Sequence, residues 1–386
     1  MKRIVFVDDE LRVLSGLRRQ LHGHRAEWDM SFVDGGEAAL AALAQAAAGQ
    51  PIDVIVSDMR MPGMDGAQLL SRVAREHPRV GRIVLSGHAD LDRMQLARSC
   101  AHRYLNKPCG PETLEAEIRR ALAVRESLDS LGWASADELW RAPPGIFAPC
   151  AEVFGSLSGE QPSDVLAANL AQLCSQDARL WRQLGPLLGA AFPAQTAPGT
   201  SPPALAPAAA LSSIGARPLM ALAMARRFFE AFVARRPDGE QRWDHALRLA
   251  GRMAAVSGDA LPAEVVVHAL AAALLQLSDE PCVEEDVACD DRCRDVLDYL
   301  LPTWGFPEPV VAAVAWRRKP RRCPPSLSAP LAALAAAELL HAWSEGAAAS
   351  DRERELLDFL QQRGWSVPQR TTAPGLCPQF VPPAGR

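Results

Sequence analysis

The sequence predicts a doubly wound α/β fold in the first third of the chain and an all-α domain after it. Three observations carry this. Short apolar runs at Val5-Phe6-Val7, at Ile52, Val54, Ile55 and Val56, at Ile83-Val84-Leu85 and at Tyr104-Leu105 alternate with helical periodicity. Each run ends at once in polar groups: Asp8-Asp9-Glu10, Asp58, Ser86-Gly87 and Asn106-Lys107-Pro108. From Asp137 onward strand patterns vanish, and helical periodicity persists to about Trp343.

Taken in order, Val13, Leu14, Leu17 and Leu21 recur at helical spacing behind the first strand. A second strand is expected around Met30 to Val33, after which Gly35-Gly36 leads into an alanine-rich helix from Glu37. The third run is β-branched, as a strand covered on both faces requires, and Asp58 closes it before Pro62, Gly63 and Gly66 break the chain into turns. Leu69, Leu70, Val73 and Ala74 mark a helix that ends near His77-Pro78. A helix follows over 91–100. Pro111 and Glu112 then open a fifth, whose Leu114, Ile118 and Leu122 face the sheet. Five such units predict a five-stranded parallel, flavodoxin-like sheet over residues 1–122. Residues 123–136 read as a helical linker, 137–345 as the all-α domain and 346–386 as one helix (353–362) with a Pro-rich tail. Within the second domain, 193–207 reads as a low-complexity exposed loop.

Strands of a parallel sheet all end on one edge, where ligands of open α/β sheets bind. Asp8, Asp9 and Asp58 therefore meet Ser86 and Lys107 there. Crowded carboxylates raise one another's pKa, and a hard divalent cation with oxygen ligands relieves this, Mg²⁺ fitting best. The cation and Lys107 would flank Asp58 and neutralise a phosphoryl group arriving on its carboxylate.

These residues at these strand ends resemble the receiver domain of two-component response regulators, over residues 1 to about 122. The resemblance implies that Asp58 accepts phosphate from a sensor histidine kinase or phosphotransfer protein. It implies that Asp8 and Asp9 hold Mg²⁺ with Asp58 and the backbone carbonyl of Arg60. Ser86 and Lys107 would bind the phosphoryl group, and Tyr104 would be the aromatic that turns inward on activation. Cys109 stands where an aromatic often follows Lys-Pro.

In the helical half, Arg141-Ala142-Pro143-Pro144, Ala210 to Gly215, Trp243-Asp244-His245-Ala246 and Leu300 to Pro307 resemble the HDOD domain, a helical output module related to HD phosphohydrolases. The resemblance implies a partner-binding domain for a downstream signalling protein. Catalytic relatives bind metal through a His-Asp dipeptide, which this sequence lacks; Gln276 and Leu277 occupy the corresponding place. The domain therefore reads as non-catalytic, and the protein as a phosphoacceptor signalling protein rather than an enzyme. Its histidines, His245, His268 and His341, lie far apart in sequence and read as surface or satisfied core residues. Cys282, Cys289 and Cys293 lack knuckle spacing and read as free thiols rather than zinc ligands. Arg317, Arg318, Lys319, Arg321 and Arg322 form a basic run, either a solvated loop or a candidate anion-binding patch. The alternative function is a receiver-controlled cyclic-dinucleotide phosphodiesterase or nucleotide-binding effector.

Composition narrows the classes further. A chain of 386 residues accommodates two or three cores, and a net charge of −5 argues against DNA as a partner. Nine cysteines without a secretory leader, and no long uninterrupted apolar stretch, read as a cytoplasmic protein that engages no membrane.

Overall fold

The computed structural model describes residues 1–47, 49–87, 100–130, 140, 178–196, 205–232, 234, 237–257, 261–276, 287–346, 348–368, 370 and 380–383. Several expectations lie outside the described residues. They are the helix over 91–99, the linker beyond 130, the Arg141 motif and most of the 193–207 loop. The side chains of Gln276, Cys289 and Cys293, the residues Leu277 and Cys282, and most of the Pro-rich tail also fall there. The chain groups into two compact units, Met1–Ala148 with Cys282–Gly305, and Pro149–Pro281 with Phe306–Arg386. This grouping divides the helical domain expected over 137–345.

The first unit is built on strands β1 (Lys2–Val7), β2 (Trp28–Val33), β3 (Val54–Asp58), β4 (Gly81–Ser86) and β5 (Arg103–Asn106). All pair parallel, in the order β2-β1-β3-β4-β5. Helices α1 (Leu11–Gln20), α2 (Gly36–Ala47), α3 (Gly66–Glu76) and α4 (Pro111–Ser130) cover the sheet. Side chains alternate across the strands. Val5, Val7, Ile55 and Val84 join Leu40 and Leu43 of α2 and Leu69, Leu70 and Val73 of α3 in one core layer. Ile4, Phe6, Val54, Val56 and Ile83 are as deeply buried on the opposite face, where α4 buries Leu114, Ile118 and Ala121. The strands extend past the apolar runs because Lys2, Arg3, Trp28 and Arg82 also join the ladder.

Two local devices fix the loop after Asp58. Asp65 caps α3 by accepting from the Gln68 N–H at 2.9 Å, and the Gln68 side chain accepts from the Asp65 N–H at 3.1 Å. Gly66 lies so close to β3 that a Cβ there would stand 2.1 Å from the Asp58 carbonyl oxygen. Only glycine permits that approach.

The second unit contains α5 (Ala178–Ala191), α6 (Pro207–Ile214), α7 (Ala216–Phe232), α8 (Gly239–Ser257) and α9 (Ala263–Gln276). One further helix, α10 (Val287–Thr303), belongs to the first unit and packs on α4. The second unit resumes with α11 (Glu308–Ala315), α12 (Ala329–Ser344) and α13 (Asp351–Gln362). Helix α12 is buried nearly all round from Leu331 to Leu340, as expected of a helix lacking a polar face. It packs against α8, α9, α11 and α13. Leu219, Leu222, Ala223 and Phe229 of α7 are core, as their spacing predicts.

Candidate functional site

The ends of β1, β3 and β4 bring Asp8, Asp58 and Ser86 to one edge, all with less than a tenth of their surface exposed. Lys107, just beyond β5, bridges the first two. Its Nζ lies 3.0 Å from Asp8 Oδ2 and forms a second ion pair with Asp58 Oδ1. Backbone donors take the remaining oxygens: the Glu10 N–H reaches Asp8 Oδ1 at 2.9 Å, and the Arg60 N–H reaches Asp58 Oδ2 at 2.9 Å. Asp9 is exposed. Ser86 donates to the Gly87 carbonyl at 3.2 Å. Tyr104 sits opposite Val84 in the ladder, half-buried against the α2–α3 core layer.

Burial raises the Asp58 pKa; the Lys107 hydrogen bond and charge oppose this, and Asp8 reinforces it. For Lys107 burial acts downward, but the bonds and charges of Asp58 and Asp8 outweigh it and the net shift is upward. Two buried carboxylates thus share one ammonium and keep an excess negative charge, which costs free energy in a low-dielectric site. Their oxygen donors and unbalanced charge fit a hard cation. Among the described residues no group of three His, Cys, Asp or Glu side chains is assembled to hold a metal.

A second polar cluster lies at the opposite, amino-terminal ends of β4 and β5. Arg82 is fully buried and donates to the carbonyls of Cys100, at 2.5 Å, and Val80, at 2.9 Å. His102 Nδ1 accepts from the Arg82 N–H at 3.0 Å, so Nε2 carries the proton and donates to the Trp140 carbonyl at 2.6 Å. Burial, then Arg82, holds the His102 pKa well below its ordinary value, and the ring stays neutral. Trp140 stacks on Tyr299 of α10 at 5.8 Å between centroids, and the Arg103 guanidinium lies 4.1 Å over that tyrosine ring. Arg120 of α4 pairs with Asp298 of α10. Sequence reasoning missed this cluster, since isolated Arg, His and Tyr residues at such distances carry no periodic signal.

In the second unit the basic run is split. Arg321 pairs with Asp358 of α13, and the Arg317 carbonyl accepts from Arg352 at 2.5 Å. The three histidines lie far apart in sequence, yet two of them meet in space. His245 of α8 and His341 of α12 meet edge to face, with centroids 4.8 Å apart, because the two helices pack together. His268 is buried in α9, with Glu264 of the same helix 4.0 Å away.

The family model described as "Response regulator receiver domain" matches residues 4–119. The transcriptional regulator NtrC of Salmonella typhimurium is 36% identical over 118 residues, covering 30% of this chain and 24% of that protein. The response regulator protein FleR of Pseudomonas aeruginosa is 30% identical over 138 residues, covering 35% of this chain and 26% of that protein. The chain thus spans about a quarter of the length of these curated relatives. A crystal structure of a receiver domain protein from Clostridium thermocellum aligns at 27% identity and TM-score 0.31, covering 33% of this chain and 99% of that one. With five parallel strands in flavodoxin-like order and Lys107 between the strand-end carboxylates, the amino-terminal part of this chain is a response regulator receiver domain.

Proposed function

We propose that the protein is a response regulator of a two-component phosphorelay, in which Asp58 is phosphorylated and the helical part acts as an HDOD-like, non-catalytic module that binds a downstream signalling protein. The observation that carries the reading is the pairing of buried Asp58 with Lys107 at the strand edge. An Asp58 carboxylate oxygen attacks the phosphorus of a kinase or phosphotransfer phosphohistidine. The P–N bond breaks, and the imidazole leaves with a proton from solvent. Lys107 then pairs with a phosphoryl oxygen, and Ser86 donates its hydroxyl to another. Asp8, Asp9, Asp58 and the Arg60 carbonyl would hold Mg²⁺, which would supply positive charge against the negative charge of the phosphoryl oxygens. Among the described residues no helix is long and apolar enough to cross a membrane.

The readout runs from Ser86 to β5 and α4. Movement of Ser86 toward the phosphoryl group vacates space beside β4, and Tyr104 on the neighbouring strand fills it. Arg103, beside Tyr104 in β5, contacts the Tyr299 ring of α10, which gives the strand a direct mechanical link to a helix outside residues 4–119. The test is labelling by a small phosphodonor with Mg²⁺. Wild type should take one phosphate per chain and Asp58→Ala none; label retained in Asp58→Ala would overturn the assignment.

A further inference from the structure

We propose that the seam between α8 and α12 in the second unit binds a phosphate-bearing small molecule through His245, Arg248, Arg252 and His341. On α8, His245, Arg248 and Arg252 follow at helical spacing and share one side of the helix. His341 and Ser344 do the same on α12. The two imidazoles meet at 4.8 Å between centroids. Arg252 donates to Ser344 Oγ at 2.7 Å, which holds its guanidinium across the seam.

The charge of this seam is one-sided. Arg248 is exposed and has no carboxylate partner among the described residues, and it acts electrostatically on both histidines. Arg252 adds positive charge beside His341, and Arg317 does so beside His245. Among the described residues, the acidic group acting on the pair is Glu345, exposed at the end of α12. His341 Nδ1 is buried and makes no hydrogen bond. Burial chiefly lowers both pKa values, His245's to about 4 with the His341 ring, Arg248 and Arg317 acting in the same direction. At His341 Glu345 opposes burial while Arg248 and Arg252 reinforce it, and the net shift is still downward.

Ligand chemistry follows from that balance. A divalent metal would meet two imidazoles but be repelled by the surrounding guanidinium groups. A neutral ligand would leave the charge unanswered. A phosphoryl group offers several acceptor oxygens, matches guanidinium geometry and would draw protons onto the imidazoles, converting both into donors. The site uses second-unit residues alone and does not depend on phosphorylation of Asp58.

The test is calorimetry on the full chain in Mg²⁺-free buffer of constant ionic strength, with inorganic phosphate in one arm and a nucleoside 5′-monophosphate in the other. Saturable binding is expected, weakened about tenfold or more by Arg248→Gln or His341→Gln, as removal of a charge-assisted hydrogen bond implies. Lys107→Met, at the receiver site, should leave this binding unchanged. Equal affinity in the two arms would assign recognition to the phosphoryl group alone, and tighter nucleotide binding would add a contact to the nucleoside. Imidazole resonances should show the His245 titration rising on ligand addition, which a merely structural histidine would not do. Three results would overturn the site: no saturable binding in either arm, equal binding by Arg248→Gln and wild type, or a stoichiometric Zn²⁺ complex on the histidine pair that phosphate does not disturb.

Discussion

Thr303 donates its hydroxyl to the backbone carbonyl of His102 at 3.0 Å, across 201 residues of chain. The same hydroxyl lies 3.0 Å from the Tyr299 carbonyl one helical turn back. The bond ties the end of α10 to the residue just before β5. With the Arg103–Tyr299 and Arg120–Asp298 contacts, it makes α10 an added layer of the receiver unit.

Tyr299→Ala should therefore destabilise the first unit. The ring is fully buried, stacks on Trp140 and supports Arg103. Truncating a buried aromatic costs about 3–5 kcal/mol. Urea unfolding followed by tryptophan fluorescence measures it, and a loss below ~1 kcal/mol would mean that α10 contributes little to this unit.

His102 sets a pH dependence. Its folded pKa lies below the unfolded value of about 6.5, chiefly through burial and then through Arg82, with Arg103 and Arg125 acting in the same direction. The unfolded chain therefore binds more protons as pH falls, and this contribution to stability, complete above about pH 6.5, declines below it. Denaturation midpoints from pH 7.5 to 5 should fall. His102→Gln, already less stable at pH 7.5, should show a flatter profile; an identical slope would remove His102 as the cause.

Gly66→Ala should damage the loop that carries Asp58. A Cβ placed 2.1 Å from a backbone oxygen cannot be accommodated by a side-chain rotation, so β3 or α3 must move. Overpacking of this kind costs about 1–3 kcal/mol, and phosphodonor labelling should slow because the Asp58 backbone moves with the strand. Wild-type stability and labelling rate in this variant would show that the loop yields freely.

The receiver was readable because its signals are local. A β-branched run followed at once by a carboxylate announces both a strand and its functional end, and Asp8, Asp58, Ser86 and Lys107 each sit at such an end. The helical part was readable only in kind. Periodicity identifies the face a helix buries but not the partner that covers it, so Tyr299 and Thr303 gave no sign of packing with His102. Likewise, nothing local ties His245 to His341; their meeting depends on how α8 and α12 pack.

Lys107→Met should slow phosphodonor labelling by on the order of 10²-fold, the usual effect of removing one preorganised charge from a transferring group. The buried carboxylates would lose their shared counter-ion as well. Single-turnover labelling with Mg²⁺ checks this. An unchanged rate would show that Lys107 serves only the resting charge balance.

Beryllofluoride, a phosphoryl mimic on Asp58, should change hydrogen exchange beyond the strand edge. Ser86 is buried at the end of β4, the strand beside β3 and Asp58, and Tyr104 is half-buried on the next strand. Closure of Ser86 on a phosphoryl oxygen would therefore offer Tyr104 a vacated space. Its neighbour in β5, Arg103, lies over Tyr299 and pairs with Glu117 of α4 at 3.2 Å, so a shift of the β5 backbone that accompanies the turn of Tyr104 would reach both. Both α4 and α10 therefore feel the change, and α10 leads through Gly305 into the helix that begins at Glu308. The expected result is altered protection in residues 100–130 and 287–303. These residues form a two-state element only if both segments respond together. Changes confined to 56–66 would show that phosphorylation is not transmitted by this path.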